Sequence, residues 1–509
     1  MGLDPKRLRI VLSVMLATFL TAVDVTIIDT AIPRIVGALG GFKLFTWLVT
    51  GYLLTSTATI PLYGKLADII GRKRTFIIGT TLFLLGSVLC AFANTMPQLI
   101  LFRGLQGLGA GGIQPVVQTI LGDIFTPTER AKVQGWFSSI WGLSGLIGPL
   151  LGGLIVDYVD WRWLFLINLP LGLFALVMLM TNLQEKVGQR TQPVDYLGSA
   201  LLTGGIAALM LALVMGGSTF PWNSGEIIGL FVGAGVLLAG FIRQEKHHPD
   251  PMLPLDLFRD KTIGIANLAS LVIGGVYYGT TVYLPLWAQG VQGYSATRSG
   301  ASLLWLSIGW PIAAVLGGKY ILKVGQRRAA LLGLGFNVLG AAGLLILARV
   351  AHEIPPVGFA VVTYLVGSGM GFASLAFILG VQSSVGWERR GVATASLQFI
   401  RTLGGLVWVA VMGAVMNSTF AQGLQAVPSL GITSVSAAAD FANELLDPAK
   451  WGSLSPAVLA AARGALADSL RWVHVIVLFC AVATFAVTLW FPNRKLDQVD
   501  APRDGVSAH

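Results

Sequence analysis

Apolar runs of about 18–25 residues, each long enough to cross a hydrocarbon core of ~30 Å, recur along this chain from Arg9 to Pro492. About fourteen can be traced, at approximately 10–33, 47–66, 75–94, 98–122, 134–156, 163–182, 196–216, 226–242, 264–288, 300–322, 329–349, 357–381, 392–416 and 471–491. A backbone in lipid must satisfy its own hydrogen bonds, so only helices and closed barrels can span. No long run alternates apolar with polar residues, which excludes a barrel. The runs therefore predict an all-α membrane protein. Charge agrees: 11% of the residues are charged and 54% hydrophobic, whereas a soluble domain needs roughly 25–35% charged residues on its surface.

The formal net charge of +10 sets orientation rather than partners. About 24 of the Lys and Arg residues fall in the termini and even-numbered loops against about 8 in the odd-numbered loops, the bias of the positive-inside rule. Both termini are predicted to be cytoplasmic, and nucleic acid is excluded as a partner. The basic start followed by an apolar run resembles a signal peptide, but the run contains Asp24 and Asp29, exceeds a signal core and lacks a convincing cleavage site. It is read as a retained first helix. Cys90 and Cys480 fall within apolar runs and read as small core residues. His247, His248 and Asp250 lie in a polar segment, 243–262, that reads as a solvated loop rather than a metal site.

The chain also repeats itself at long range. GKLADIIGRKR at Gly64–Arg74 returns as GKYILKVGQRR at Gly318–Arg328, with Leu322 where the first copy has Asp68. TERAKVQGWFSSIWGLSG after helix 4 is echoed by WERRGVATASLQFIRTLGG after helix 12. Both echoes are offset by eight helices, six plus two. The simplest architecture is an N-terminal six-helix bundle over 1–185, two inserted helices with a linker over 186–262, a C-terminal six-helix bundle over 263–492 and a cytoplasmic tail over 493–509. The C-terminal bundle would include an extracytoplasmic loop over 417–470, in which 456–470 has helical spacing suited to a membrane surface. Parallel repeats of this kind place a substrate site between the bundles.

Ionisable residues inside such helices cost about 2.5–3.5 kcal/mol at the centre and mark function by default. Four stand out: Asp24, Asp29, Arg103 and Arg401. Asp24 lies roughly 20 Å along helix 1 and Asp29 about a turn and a half further, rotated away from it. By the same rise Arg103 enters helix 4 by about 7 Å, which matches Asp29 in depth more closely than Asp24. Burial favours a neutral carboxyl and an approaching guanidinium restores its charge. An acid whose distance to Arg103 changes with conformation would thus take up and release a proton; the alternative is a fixed Asp29–Arg103 ion pair. Arg103, Gln106, Gln114 and Gln118 share about a third of the helix-4 circumference and should line a hydrated cavity, unless they serve interhelical hydrogen bonds. In the second bundle Tyr277, Tyr278, Tyr283, Trp305, Trp310, Gln398 and Arg401 lie within helices. Large aromatic faces there suit apolar or cationic organic ligands, although each is also suited to core or lipid.

These motifs resemble those of the major facilitator superfamily, and within it the fourteen-helix drug:proton antiporters. GKLADIIGRKR is similar to the superfamily's signature loop, which implies a tight turn at Gly64 and Gly71 and a conformational gate with Asp68, Arg72 and Arg74. LILFRGLQGLGAGG is similar to the helix-4 motif whose arginine, here Arg103, is implicated in proton coupling. GLSGLIGPLLGG resembles the antiporter motif through Gly145, Gly148, Pro149, Gly152 and Gly153. VDVTIIDTAIP resembles the helix-1 motif of the fourteen-helix group with Asp24 in its acidic position, and WRWLFLINLPLG at Trp161–Gly172 also recurs there. Asp29 replaces the usual asparagine, and Trp408 interrupts the glycine run after Gly404 and Gly405.

The resemblance implies a major facilitator fold with two six-helix bundles plus two inserted transmembrane helices. It further implies a monomeric chain in a bacterial inner membrane, without cofactor, using protons as coupling ion to export an amphipathic or cationic small molecule. Export of a lipid, siderophore, peptide or other metabolite is the alternative on the same fold. A membrane enzyme or sensor is disfavoured, because the chain shows no nucleophile–base arrangement, metal cluster or phosphate loop.

Overall fold

The structure, a computed structural model, describes residues 5–125, 127–183, 195–216, 220–248, 251, 253, 255–350, 356–386, 389–427, 441, 443, 445 and 455–493. Residues 494–509 of the expected tail and most of 428–454 in the expected loop lie outside this set.

The described residues form a succession of helices and no strand. They are α1 (Pro5–Leu39), α2 (Thr46–Ile70), α3 (Arg72–Ala91), α4 (Met96–Ile124), α5 (Pro127–Tyr158) and α6 (Trp163–Asn182, interrupted by a turn at Ile167). Then follow α7 (Tyr196–Met215), α8 (Gly225–His247), α9 (Lys261–Gly290), α10 (Ala296–Val324), α11 (Gln326–Val350), α12 (Pro356–Ser383), α13 (Arg390–Gln425) and α14 (Pro456–Thr488). Among the described residues, 12 helices are long and apolar enough to cross a membrane. At 1.5 Å per residue, the 35 residues of α1 extend ~52 Å, well beyond a ~30 Å hydrocarbon core.

Local chemistry sets several boundaries. Thr95 caps α4 by accepting from the Gln98 amide, with Pro97 in the first turn, where its missing N–H costs nothing. Asp195 and Ser224 cap α7 and α8 in the same way. Pro33, Pro115, Pro149, Pro285 and Pro311 lie inside helices, as membrane helices tolerate when neighbours restore the freed backbone groups. Two lengths differ from expectation. α13 continues to Gln425 and α14 begins at Pro456, so both ends of the expected 417–470 loop are helical. The stretch 456–470 runs straight into α14 rather than forming a separate surface helix; nothing between Pro456 and Thr488 breaks the backbone ladder.

By packing, the chain divides into two compact units. The first holds Met1–Met252, Tyr278–Leu304 and Leu406–Val473; the second holds Leu253–Tyr277, Trp305–Gly405 and His474–His509. These limits differ from the linear boundaries read from the repeat, because α9, α10, α13 and α14 each contribute to both units. Within the first unit α7 and α8 pack on each other, and α7 lies along α2. Gln244 Nε2 ties that pair together by donating to Asp195 Oδ1 at 2.9 Å. In the second unit a core on α9, α11, α12 and α13 closes around Phe377 and Phe491, whose rings meet edge to face at 5.5 Å.

The long-range repeat is visible in the backbone. Gly71 joins α2 to α3 at φ 93, and Gly325 joins α10 to α11 at φ 88. A side chain at positive φ costs roughly 1–2 kcal/mol, so both copies keep glycine although the residues between them have diverged. At Gly325 a Cβ would also meet Asn493 Oδ1 at 2.5 Å. Gly71→Ala and Gly325→Ala should each lower stability by about 1–2 kcal/mol, with the larger loss at Gly325. Thermal unfolding in detergent measures this, and two unshifted midpoints would refute the strained-turn account.

Candidate functional site

Asp24 and Arg103 meet inside the first unit. Arg103 Nη1 donates to Asp24 Oδ2 at 2.7 Å, and the two side chains are 2% and 0% exposed. The carboxylate is otherwise held by amides: Gln106 Nε2 and Asn168 Nδ2 each donate to Oδ1 at 2.8 Å. Arg103 Nη1 also donates to Gln106 Oε1 at 2.8 Å, its Nε reaches the Leu48 carbonyl, and its guanidinium lies 4.1 Å from the centre of the Tyr52 ring. Ser87 Oγ accepts from Asn168 and Gln106 and donates to the Phe165 carbonyl. Four helices thus supply its hydrogen-bonding side chains, α1 the acid, α4 Arg103 and Gln106, α3 the serine and α6 the asparagine, and α2 adds the Leu48 carbonyl and the Tyr52 ring.

This arrangement corrects two expectations. Depth counting favoured Asp29 as the partner of Arg103, yet Arg103 pairs with Asp24. Facing outweighs rise here: Asp24 and Asp29 are about 140° apart around α1, and the arginine's long stem removes the difference in depth. Asp29 is also buried, and among the described residues no basic side chain forms an ion pair with it. Second, the helix-4 stripe is not one wet surface. Arg103 and Gln106 are sealed in the Asp24 network, whereas Gln114 and Gln118 are half-buried. Asn168 and Ser87 were not singled out from sequence; Asn168 stands in the WRWLFLINLPLG motif, which was the one available signal.

Close backbone approach makes the network possible. On α4, a Cβ at Gly107 or Gly111 would enter α2 at Tyr52 and Ser56, and one at Gly109 would enter α3 at Phe83. The antiporter motif works likewise on α5. Cβ atoms at Gly148 and Gly152 would strike Thr26, Ile27 and Thr30 of α1, while one at Gly153 would lie 2.5 Å from the Thr297 Cα of α10. Gly300 of α10 leaves no room for a side chain against the Pro149 carbonyl. Gly145 lies one turn earlier on the same helix.

Beside that crossing, Asp157 at the end of α5 caps the start of α10. It accepts from the backbone amides of Ala296 at 3.1 Å and Thr297 at 2.7 Å, and from the Thr297 hydroxyl at 2.6 Å. Arg34 of α1 pairs with the same carboxylate at 3.2 Å. Gln289 Nε2 of α9 adds a bond to the Thr30 carbonyl at 2.9 Å. A carboxylate at a helix N-terminus is favoured by both orphan amides and dipole. Sequence reading missed Asp157, Arg34 and Thr297, since a cap donated from 139 residues away leaves no local pattern.

For the α2–α3 turn, Arg72 Nη1 donates to the Ala67 carbonyl at 3.3 Å and Arg74 is exposed. The surroundings of Gly64 and the Asp68 side chain lie outside the described residues. In the second unit, Arg401 donates to Ser374 Oγ at 3.3 Å and to Gln398 Oε1, with its guanidinium 5.7 Å from the Trp310 ring centre. Tyr277 meets Trp310 edge to face at 5.5 Å. Trp305 is exposed, and Tyr278 is half-buried in the first unit. Tyr283 is wholly buried, its hydroxyl donating to the Val409 carbonyl at 2.7 Å, so it belongs to the core rather than to a ligand site.

A succession of helices long and apolar enough to cross a membrane, enclosing the Asp24–Arg103 pair, is the architecture of a multi-pass membrane protein. The chain belongs to the Major Facilitator Superfamily, whose family model matches residues 14–409. It is 38% identical over 419 residues to the multidrug transporter protein MdtP of Bacillus subtilis, covering 82% of this chain and 76% of that one. It is 33% identical over 489 residues to multidrug resistance protein 3 of the same organism, covering 95% of each. Among solved structures it resembles, in fold, an inward-facing, unoccupied bacterial homolog of the human lysosomal transporter Spinster, with TM-score 0.68, 17% identity and coverage of 98% and 100%. A D-xylose–proton symporter aligns at TM-score 0.57 and 14% identity over 87% of this chain and 99% of its own. These relatives and folds are transporters, not enzymes.

Removing one member of a buried pair leaves the other charge uncompensated, at a cost of about 3–5 kcal/mol. Arg103→Met should therefore destabilise by that amount, and adding Asp24→Asn should recover most of it. A double-mutant cycle on thermal unfolding reads the coupling; additive losses would show that the two groups do not depend on each other.

Proposed function

We propose that the chain is a proton-coupled exporter of amphipathic organic compounds. It would work by alternating access with fourteen spans in a bacterial inner membrane, both termini in the cytoplasm and no cofactor. The observation that carries this reading is the hydrogen-bond set around Asp24. Oδ1 accepts from two amides and Oδ2 from a guanidinium. A proton arriving on Oδ1 would put O–H against N–H, and one arriving on Oδ2 would remove the negative charge that holds Arg103. Protonation would therefore weaken the hold on a partner, and withdrawal of Arg103 would let α1 and α4 separate. The two charge states of one carboxyl favour two packings, which is the link a coupled carrier needs. Export of chemically diverse compounds is supported by the names of the multidrug relatives.

In this reading the Asp157 cap closes the outer side. It ties α1, α5 and α10 together beside the glycine crossing at Gly153 and Gly300, and it must open for the substrate to leave. The opposite gate is assigned, through the family resemblance, to the turn at Gly71 with Asp68, Arg72 and Arg74. Asp29 is kept as a second candidate for proton coupling.

Asp24→Asn, compared at equal amounts of folded protein, should reduce proton-driven export in liposomes at least about tenfold, since the amide cannot take up the proton. Undiminished exchange under an imposed pH gradient would refute coupling through Asp24. Asp157→Ala should favour the outward-open form. With the buried Ser299 replaced by cysteine, labelling by a membrane-impermeant maleimide should rise several-fold, roughly the effect of losing a cap worth ~1–2 kcal/mol. Equal labelling in both backgrounds would remove the cap from the gate.

A further inference from the structure

Arg401 stands about 16 Å along α13, a depth at which a guanidinium is costly and marks function by default. It borders a small cavity within the second unit. The polar wall is Ser270 of α9, Ser374 of α12 and Thr394 of α13, and Ile273 and Phe377 supply an apolar wall. About 30 Å³ of the cavity is open to the centres of water molecules, where one water needs roughly 10–15 Å³; a carboxylate head fits. Among the described residues that line it, Arg401 is the one cation and none is a carboxylate.

The guanidinium is held in place before any ligand arrives. Ser374 Oγ and Gln398 Oε1 accept from it, and Trp310 lies beside it. The backbone that carries it is fixed by a close crossing: a Cβ on Gly274 of α9 would lie 2.6 Å from the Arg401 carbonyl, and Gly404 leaves no space against the Leu271 carbonyl. A planar fork fixed beside hydroxyls matches the geometry of a carboxylate, which it can bind through two parallel bonds. An organic cation, the ligand class that the aromatic residues alone suggested, would meet like charge here.

We propose that this cavity is a substrate subsite for the acidic head of an amphipathic organic anion. Arg401 pairs with the carboxylate, the Ser270 and Ser374 hydroxyls turn to its remaining lone pairs, and the apolar part extends along Ile273 and Phe377. The assignment deepens the exporter reading and rests on it for physiological meaning, but the binding it predicts is measurable without transport.

The test compares binding of pyrenebutyrate, its methyl ester and pyrenebutylammonium to the purified full-length chain in detergent. Wild-type protein should bind the acid at least about tenfold more tightly than the ester, and the ammonium compound no better than the ester. In Arg401→Gln the acid-to-ester preference should fall to within about twofold of unity, and in Arg401→Lys it should be intermediate, because a point charge replaces the fork. A wild-type protein that binds acid and ester alike overturns the proposal, as does an Arg401→Gln protein that weakens both equally, since that is the mark of a purely structural arginine. Should Arg401→Gln fail to fold, an unchanged preference in Arg401→Lys overturns it instead. Proton-driven ethidium export by wild-type vesicles is measured in parallel. Export without an acid preference removes the subsite alone, whereas an acid preference without proton-driven export of either ethidium or pyrenebutyrate removes the exporter reading and leaves the subsite.

Discussion

The enclosed pair of Asp24 and Arg103 is the constraint around which the first unit is arranged. Two charges at 0% and 2% exposure are tolerable only when nearly every lone pair and N–H has a partner. That requirement recruits an amide from α4, an amide from α6 and a hydroxyl from α3, and it fixes the rotation of all four helices about their axes. The glycines of α4 and α5 follow from the same need. Interhelical bonds of 2.8 Å demand that backbones approach closely, and only residues without a Cβ permit it.

Much of this was legible in the sequence because lipid imposes such strict rules on a backbone. Span length, the absence of alternation and the basic bias of loops led to an all-helical membrane chain without reference to any side-chain contact. The turn glycines were legible too: the positive φ at Gly71 and Gly325 explains why GKLADIIGRKR and GKYILKVGQRR keep glycine at that point while Asp68 gives way to Leu322. What depends on rotation about a helix axis was less accessible. Rise per residue placed Arg103 nearer Asp29, but the contact is decided by which face α1 turns to α4. Nothing local reports that face. Tyr283 was left open between core and ligand site for the same reason, as an aromatic within a helix reads alike whether it faces a cavity or a neighbour's carbonyl.

Caps supplied from a distant segment lie further beyond sequence reading. The start of α10 carries Ser295 and Thr297, which look sufficient as local capping residues, yet the amides of Ala296 and Thr297 go to Asp157 on α5. Such a cap costs little to form where two helices already cross at Gly153 and Gly300, and it is lost as a whole when they part.

The two units use charge in opposite ways, and the difference bears on how a duplicated fold acquires direction. In the first, a carboxylate is surrounded by donors and its guanidinium partner comes from the same unit, so the charge is neutralised internally and can change only if a proton or a movement intervenes. In the second, Arg401 donates to Ser374 and Gln398 beside a cavity whose described lining residues include no acid. The repeat supplies a common backbone, down to the glycine turns at Gly71 and Gly325, on which the polar residues of the two units differ. Loss of the acid at Leu322, where the first copy keeps Asp68, belongs to the same divergence: the copies keep the turn glycines and the basic residues at Lys65 and Lys319, Lys73 and Arg327, and Arg74 and Arg328, and differ in the acid between them.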